Sequence, residues 1–422
     1  MKRIGVGIIG LGTVGRGVWE IIKEKGKELH SRCNVNLEIQ KVCDKETGRR
    51  ESLDIPSSIF TDSWEEVVKD NNVEIVVELI GGIHPAKEII TSSLEKGKYV
   101  VTANKALLAE CGEELLNKRG IFFEASVMGG VPVVKTIKEG LVANRIEKIL
   151  GIINGTTNYL LTRMEEGNEY REALREAQEK GFAEADPTLD VEGWDSAHKL
   201  SILAYLSFGV WVKPENMLVE GISFLTPDDI KYAYQLGYTV KLLAIGKRKG
   251  NALEIRVHPT LLPLSHPLSG VKEEFNALFL KGDEVGEITL QGKGAGSHPT
   301  ASAVVSDLVE AALSNIKGDT SSILPPSSSL HLVDSDDFTL RYYIRFTALD
   351  KPGVLSRISG ILGEKGISIS SVVQKGRREG EAVPIIMMTH EAKEKNLKEA
   401  LEEIDRLPII RRKTIFIRVE NL

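Results

Sequence analysis

Cysteine is scarce in this chain of 422 residues: Cys33, Cys43 and Cys111 stand apart, without the close spacing of a metal site or the even count of a disulfide framework. A reducing compartment is the expectation, and with it a cytoplasmic protein. A basic surplus is missing too. The 54 lysines and arginines are outnumbered by 60 acidic residues, for a formal net charge of −6, so no nucleic-acid surface is expected. No apolar run approaches the roughly 20 residues of a membrane helix. The first such run ends at Gly10, and no small-residue cleavage site of a signal peptide follows it. The 42% hydrophobic and 27% charged content is ordinary for a soluble protein. That length fits two or three domains.

What is present is organised from the first residues onward. Residues 4–9 read as an apolar strand, and GLGTVG follows, with Gly10, Gly12, Thr13, Val14 and Gly15 opening an amphipathic helix. Strand, glycine turn and helix in that order form a dinucleotide fingerprint, in which glycines let the backbone approach a pyrophosphate at a helix N-terminus. A second strand, residues 37–43, ends at Asp44. A carboxylate there suits the ribose 2′-hydroxyl of NAD, whereas Lys45, Arg49 and Arg50 suit the 2′-phosphate of NADP. Both coenzymes stay open.

Strands at 74–80, 99–102 and 121–124 alternate with helices near 85–96 and 105–118. The alternation predicts a doubly wound parallel sheet with ligands at the carboxyl ends of its strands. Gly81 and Thr102 then border the cofactor crevice. Lys105 begins a helix, where a cation opposes the helix dipole; that unfavourable placement favours a functional role over a surface lysine.

The middle of the chain carries polar constellations. A strand at 146–153 ends in NGTTNY, placing Asn154, Gly155 and Thr156 before a helix, a density of hydrogen-bonding groups beyond what capping requires. The stretch GFAEADPTLDVEGWDSAHKL gathers Glu184, Asp186, Asp190, Asp195 and Lys199 at a loop-to-helix junction. If residues 194–209 are helical, Asp195 and Lys199 lie at i,i+4 on one face. An exposed ion pair is the plain alternative, but the clustered carboxylates suit a ligand that carries its own amine. Strands at 254–258 and 287–291 imply a further sheet, and GKGAGSHP, including Gly296, precedes an apolar helix at 300–313.

GLGTVG, TANK at 102–105, EASVMGGVP at 124–132, NGTTNY, the 181–199 block and GKGAGSHPTASAVVSD at 292–307 together resemble the homoserine dehydrogenase family. The resemblance implies reversible NAD(P)H-dependent reduction of L-aspartate 4-semialdehyde to L-homoserine, a branch step toward threonine, isoleucine and methionine. It implies Lys105 and Lys199 as catalytic lysines, with Asp195 supporting Lys199. Glu184 and Asp190 would hold the substrate, and the Asn154, Gly155 and Thr156 run would meet its carboxylate. It also implies a monovalent cation, usually Na+, near Glu124, Val127, Gly129 and Val131.

Residues 321–337 are rich in serine, proline and aspartate and read as a linker. Beyond them, β (340–347), α (353–365), β (367–374), β (382–389), α (391–406) and β (412–419) follow the ferredoxin-like order. Asp350-Lys351-Pro352-Gly353-Val354-Leu355 resembles the first loop of an ACT domain, which implies a small effector, threonine among the candidates, or else a purely oligomerising role. The expected architecture is therefore α/β: a Rossmann-type domain at 1–130 completed by a helix near 300–316, an α+β catalytic and dimerisation domain at 131–320, and a regulatory ACT domain at 338–422. A homo-oligomer, dimer or tetramer, is expected.

Rival readings need other residues. Aspartate-semialdehyde dehydrogenase requires a cysteine nucleophile with a histidine partner, and Cys111 sits in an ordinary helical pattern. Another amino-acid dehydrogenase of broader substrate range is a second alternative. A sensor that had lost catalysis would be marked by loss of Lys105 or Lys199, and both are present.

Overall fold

The computed structural model describes residues 3–318, 325, 328–374 and 381–420. The first layer follows β1 (Arg3–Ile9), α1 (Thr13–Cys33), β2 (Asn36–Cys43), α2 (Thr47–Ser52), β3 (Phe60–Thr61) and α3 (Trp64–Lys69). It continues through β4 (Ile75–Glu78), α4 (Ala86–Glu95), β5 (Tyr99–Thr102), α5 (Lys105–Leu115) and β6 (Ile121–Phe122). All pairings in this sheet are parallel, in the order β3-β2-β1-β4-β5-β6. Strand order reverses between β1 and β4, which opens a crevice at their carboxyl ends.

The second layer begins with α6 (Val133–Lys135), β7 (Ile146–Ile152), α7 (Gly155–Glu165), α8 (Tyr170–Glu179), α9 (Thr188–Val191) and α10 (Trp194–Phe208). Then come β8 (Leu218–Val219), α11 (Pro227–Gln235), β9 (Tyr238–Lys249), β10 (Ala252–Pro263), β11 (Phe275–Gly282), β12 (Gly286–Lys293) and α12 (Ser297–Lys317). Helix α10 is buried over most of its length, polar in its first turns, where Asp195 and Lys199 lie, and mainly apolar beyond. Helix α12 returns to the first sheet: Ala301, Val304, Leu308 and Ala311 pack with Ile4, Val6 and Val18. Gly17 permits this close approach, because a Cβ there would lie 2.9 Å from that of Ala301.

The last portion holds β13 (His331–Leu332), β14 (Thr339–Leu349), α13 (Val354–Glu364), β15 (Ile369–Gln374), β16 (Ala382–Thr389), β17 (Ala392–Lys393), α14 (Glu394–Asp405) and β18 (Ile410–Val419). Of the Ser/Pro-rich 321–337 stretch, 321–324 and 326–327 lie outside the described residues; the described part pairs β13 with β10 and turns at Ser335–Asp337. Strands β18-β14-β16-β15 form an antiparallel ferredoxin-like sheet backed by α13 and α14.

This sheet does not stand apart. Strand β18 pairs in parallel with β10 through Thr260 with Arg418 and Leu261 with Val419, so one continuous sheet runs β12-β11-β7-β9-β10-β18-β14-β16-β15. Tyr343, Ile386, Ile417 and Val419 join the core of the middle region. Asp229 on α11 accepts from Arg345 Nε at 2.5 Å and Nη2 at 2.9 Å, a bidentate tie across the same seam.

Candidate active site

The fingerprint glycines have separable roles. Gly10 turns the chain at φ 102°, and its Cβ would meet the Leu79 carbonyl at 2.7 Å. Gly15 presses α1 onto that turn, where a Cβ would lie 1.9 Å from the Gly10 oxygen. Beside Gly12 there is open space, and as N-cap of α1 it supplies no side-chain cap, so the first amides of the helix remain for a ligand. These loops line a cavity of about 380 Å³ together with Asp44, Lys45, Arg49, Ile80 and Gly81. The Asp44 carboxylate accepts from Leu11 N at 2.6 Å and Glu46 N at 2.8 Å, and Arg49 stands 3.3 Å away. The crevice thus offers helix-terminal amides, a carboxylate and two cationic side chains at one cavity, the groups a dinucleotide uses.

A second set of contacts fixes the loop that carries Lys105. Thr102 Oγ1 donates to Glu78 at 2.7 Å, Ile80 N donates to the other Glu78 oxygen at 3.0 Å, and Asn104 Nδ2 donates to the Gly82 carbonyl at 2.7 Å. Asn104 also caps α5 by accepting from Leu107 N. Glu78 is fully buried, and burial raises its carboxyl pKa against these hydrogen bonds. Sequence reading missed this residue. Its signal was a carboxylate ending an otherwise apolar strand, three residues ahead of the Gly81-Gly82 pair.

The two lysines meet on one aspartate. Asp195 Oδ2 lies 2.7 Å from Lys199 Nζ, and Oδ1 pairs with Lys105 Nζ. Lys199 donates also to the Ile153 carbonyl at 2.7 Å. Asn154 Nδ2 bridges Asp190 at 2.7 Å and Asp195 at 2.9 Å, and Thr156 Oγ1 reaches Asp190 at 3.3 Å. Gly155 keeps α7 close to the sheet, since a Cβ there would stand 2.8 Å from the Glu274 carbonyl. Asp195 and Lys199 are only 3% and 7% exposed, which excludes the solvated-pair alternative. Their spacing is helical, but their environment is interior.

Electrostatics separates the lysines. Burial depresses Lys199, reinforced by Lys105 and opposed by Asp195. Burial also acts to lower Lys105, yet Asp195 outweighs it and the net direction is upward, with Asp190 and Glu184 adding to the rise. Burial would raise Asp195, but both ammonium groups hold its carboxyl far below the usual carboxylate range. Asp190 is raised, first by burial and then by Asp195. Glu184 is exposed, and what reaches the cluster is its charge on Lys105.

Residues 124–131 form a tight turn, with Met128 at φ 56° and Gly129 at φ 52°. Gly129 abuts Gly294, where its Cβ would fall 2.5 Å from the carbonyl oxygen, and Gly130 N donates to Lys293. The buried Glu124 carboxylate accepts from Val134 N at 2.9 Å and Lys135 N at 2.8 Å. The Val131 carbonyl accepts from Val133 N at 2.8 Å. Both Glu124 oxygens are thus engaged by backbone amides, and the Val131 carbonyl by another. Gly296, at φ 108°, begins α12 next to this turn, and Ser297 Oγ donates to the Thr13 carbonyl.

Residues 10–119 match the homoserine dehydrogenase NAD-binding domain, residues 132–309 the homoserine dehydrogenase catalytic family, and residues 342–409 the ACT domain. The homoserine dehydrogenase of Bacillus subtilis is 42% identical over 432 aligned positions, covering 100% of this chain and 99% of its own. The chain belongs to the homoserine dehydrogenase family. A Neisseria gonorrhoeae member is 40% identical with full coverage of both chains. Among solved structures, that from Thiobacillus denitrificans superposes with a TM-score of 0.93 at 40% identity, covering 100% of this chain and 99% of its own. A hyperthermophilic archaeal member in complex with NADPH covers 74% of this chain and 98% of its own, with a TM-score of 0.64 at 30% identity. The molecule is therefore an NAD(P)-dependent oxidoreductase of that family with a C-terminal ACT domain.

Proposed function

We propose that this chain oxidises L-homoserine to L-aspartate 4-semialdehyde reversibly, with Lys105, Asp195 and Lys199 as its proton-handling centre. The observation that carries the roles is the Lys199–Asp195–Lys105 array, in which Asp195 and Lys199 are buried and Lys105 closes the cluster from its half-exposed side. The nicotinamide coenzyme, NAD or NADP, supplies the hydride acceptor when bound. Gly10, Gly12, Thr13, Val14 and Gly15 would cradle its pyrophosphate, Gly81, Thr102 and Gly296 would border it, and Asp44 with Lys45 would meet the ribose. Asp44 supports NAD, and Arg49 beside it supports NADP.

In oxidation, the substrate hydroxyl oxygen gives its proton to a neutral lysine amine, the carbon bearing that oxygen gives up a hydride, and the C=O bond forms between them. Burial makes Lys199 the lysine more readily found neutral, so it serves as base, while the ammonium of Lys105 stabilises the alkoxide. Asp190 and Glu184 take the substrate ammonium, and Asn154, Gly155 and Thr156 its carboxylate. Glu124 and the carbonyls of Val127, Gly129 and Val131 would hold a monovalent cation, Na+, bracing the turn against the glycine loop at 294–296.

Beside the Asp350–Leu355 loop lies a cavity of about 350 Å³, closed by Gln374 and Ile385. An amino-acid effector, with threonine first among candidates, binds there and acts across a homo-oligomer, dimer or tetramer. Among the described residues no helix is long and apolar enough to cross a membrane, and all three cysteines are unpaired; a cytoplasmic setting is part of the proposal. Kinetics of Lys199→Ala and Lys105→Ala with homoserine and both coenzymes test the roles: retained turnover in both variants would overturn them.

A further inference from the structure

Arg418 belongs to β18 of the ACT domain, yet its guanidinium is buried against the catalytic region, 1% exposed. Its Nε and Nη2 donate to Glu394 at 2.8 and 2.6 Å, and its Nη1 and Nη2 donate to Glu220 at 2.6 and 2.9 Å. Glu394 is on α14 of the same domain, whereas Glu220 follows β8 in the middle region. Only a planar fork with several fixed donors can satisfy two carboxylates in this way.

The segment that Arg418 grips leads to the catalytic helices. Glu220 N donates to the Val257 carbonyl at 2.8 Å, and Ile222 N to the Val191 carbonyl at 2.8 Å. Gly221 lies so close to α9 that a Cβ would fall 2.3 Å from the Val191 oxygen. Gly193, the left-handed residue that starts α10, faces Val219, Val257 and the Glu220 carbonyl. Ser223 Oγ donates to Glu192 at 2.7 Å. Residues 219–223 thus form the bed on which residues 191–193 rest, between Asp190 on one side and Asp195 on the other.

We propose that Arg418 is a positioning residue for the active site: through Glu220 it fixes the 219–223 segment and with it the placement of Asp190, Asp195 and Lys199. The ACT domain is in this sense a structural part of the catalytic centre, and any displacement of β18 is felt at the start of α10. This rests on the reading of Lys199 and Asp195 as catalytic.

The test uses the full-length chain. Glu220 is partly exposed, so Glu220→Gln keeps the fold and the Arg418–Glu394 pair while weakening the link. Expected are a 3- to 30-fold lower kcat/KM for homoserine, roughly the range of such indirect couplings, an unchanged KM for coenzyme and a melting temperature that stays well above the assay temperature. Arg418→Lys should give a comparable loss, the double variant should lose no more than the worse single one, and Glu220→Asp should restore part of the activity. Wild-type homoserine kinetics in Glu220→Gln would overturn the proposal, as would a loss of activity that merely follows a lowered melting temperature or falls equally on coenzyme KM. Lys199→Ala is run alongside. If that variant keeps turnover, the catalytic reading has failed; if it is inactive while Glu220→Gln is normal, only the positioning role has.

Discussion

At the residue scale, the chemistry turns on one aspartate shared by two lysines of opposite tendency. Lys199→Ala and Lys105→Ala should each lower kcat by about 100-fold or more, the usual contribution of acid–base help; steady-state rates on folded variants decide this. Glu184→Ala should mainly raise KM for homoserine, because an exposed carboxylate offered to a ground-state ammonium contributes to binding more than to turnover. The pH dependence has a definite sign. Oxidation needs the neutral amine, so kcat/KM rises with pH, and burial places the rise below the ordinary lysine range. In Lys199→Ala that limb should vanish from the profile of the residual activity; a limb unchanged in position would assign it to another group. Much of this was legible in the sequence, since i,i+4 spacing alone puts Asp195 beside Lys199. What spacing could not provide was the partner set from other elements: the Ile153 carbonyl, the Asn154 amide bridging two aspartates, and Glu78 beneath the Lys105 loop.

At the element scale, alternating apolar strands and glycine turns made the doubly wound sheet readable, because a parallel strand buried on both faces leaves a continuous apolar run. Strand β9 was not read. Its sequence, YTVKLLAIGKRK, has no period-2 alternation, as Thr239–Gly246 is buried on both faces, and it hides a lysine. Lys241 is 1% exposed and donates to Asn158 Oδ1 at 3.0 Å and to the Val271 carbonyl at 2.5 Å, and burial lowers its pKa to about 7. In the unfolded chain a lysine titrates near 10.4. Between these values the unfolded state binds the extra proton, so this group's contribution to stability rises with pH across the window and the burial cost is fully felt below about 7. Urea unfolding of the wild type and Lys241→Met at pH 6.5 and 9.5 should therefore show the stability difference moving in favour of the wild type at the higher pH. A pH-independent difference would contradict the depressed lysine.

At the scale of the whole molecule, the C-terminal sheet is welded to the middle one through β10 and β18, with Arg345–Asp229 and Arg418–Glu220 across the seam. The βαββαβ order was readable from sequence. Its continuity with the middle sheet was not, since pairing between strands so distant in the chain leaves no local pattern. Deleting the residues after Asp336 should accordingly lower the melting temperature sharply, by uncovering Leu261 and leaving Glu220 and Asp229 without their arginines, and should abolish any threonine response; residual catalysis is to be sought at low temperature. A truncated chain as stable as the full one would refute the weld. Calorimetry with threonine on the full chain tests the effector, and absence of both heat and rate change at millimolar threonine would leave the domain an assembly role. The most direct measurement is the initial rate of L-homoserine oxidation by the full-length protein at alkaline pH with monovalent salt, with NAD and NADP side by side. Turnover with at least one coenzyme is the expected result; folded protein inactive with both would contradict the enzymatic account.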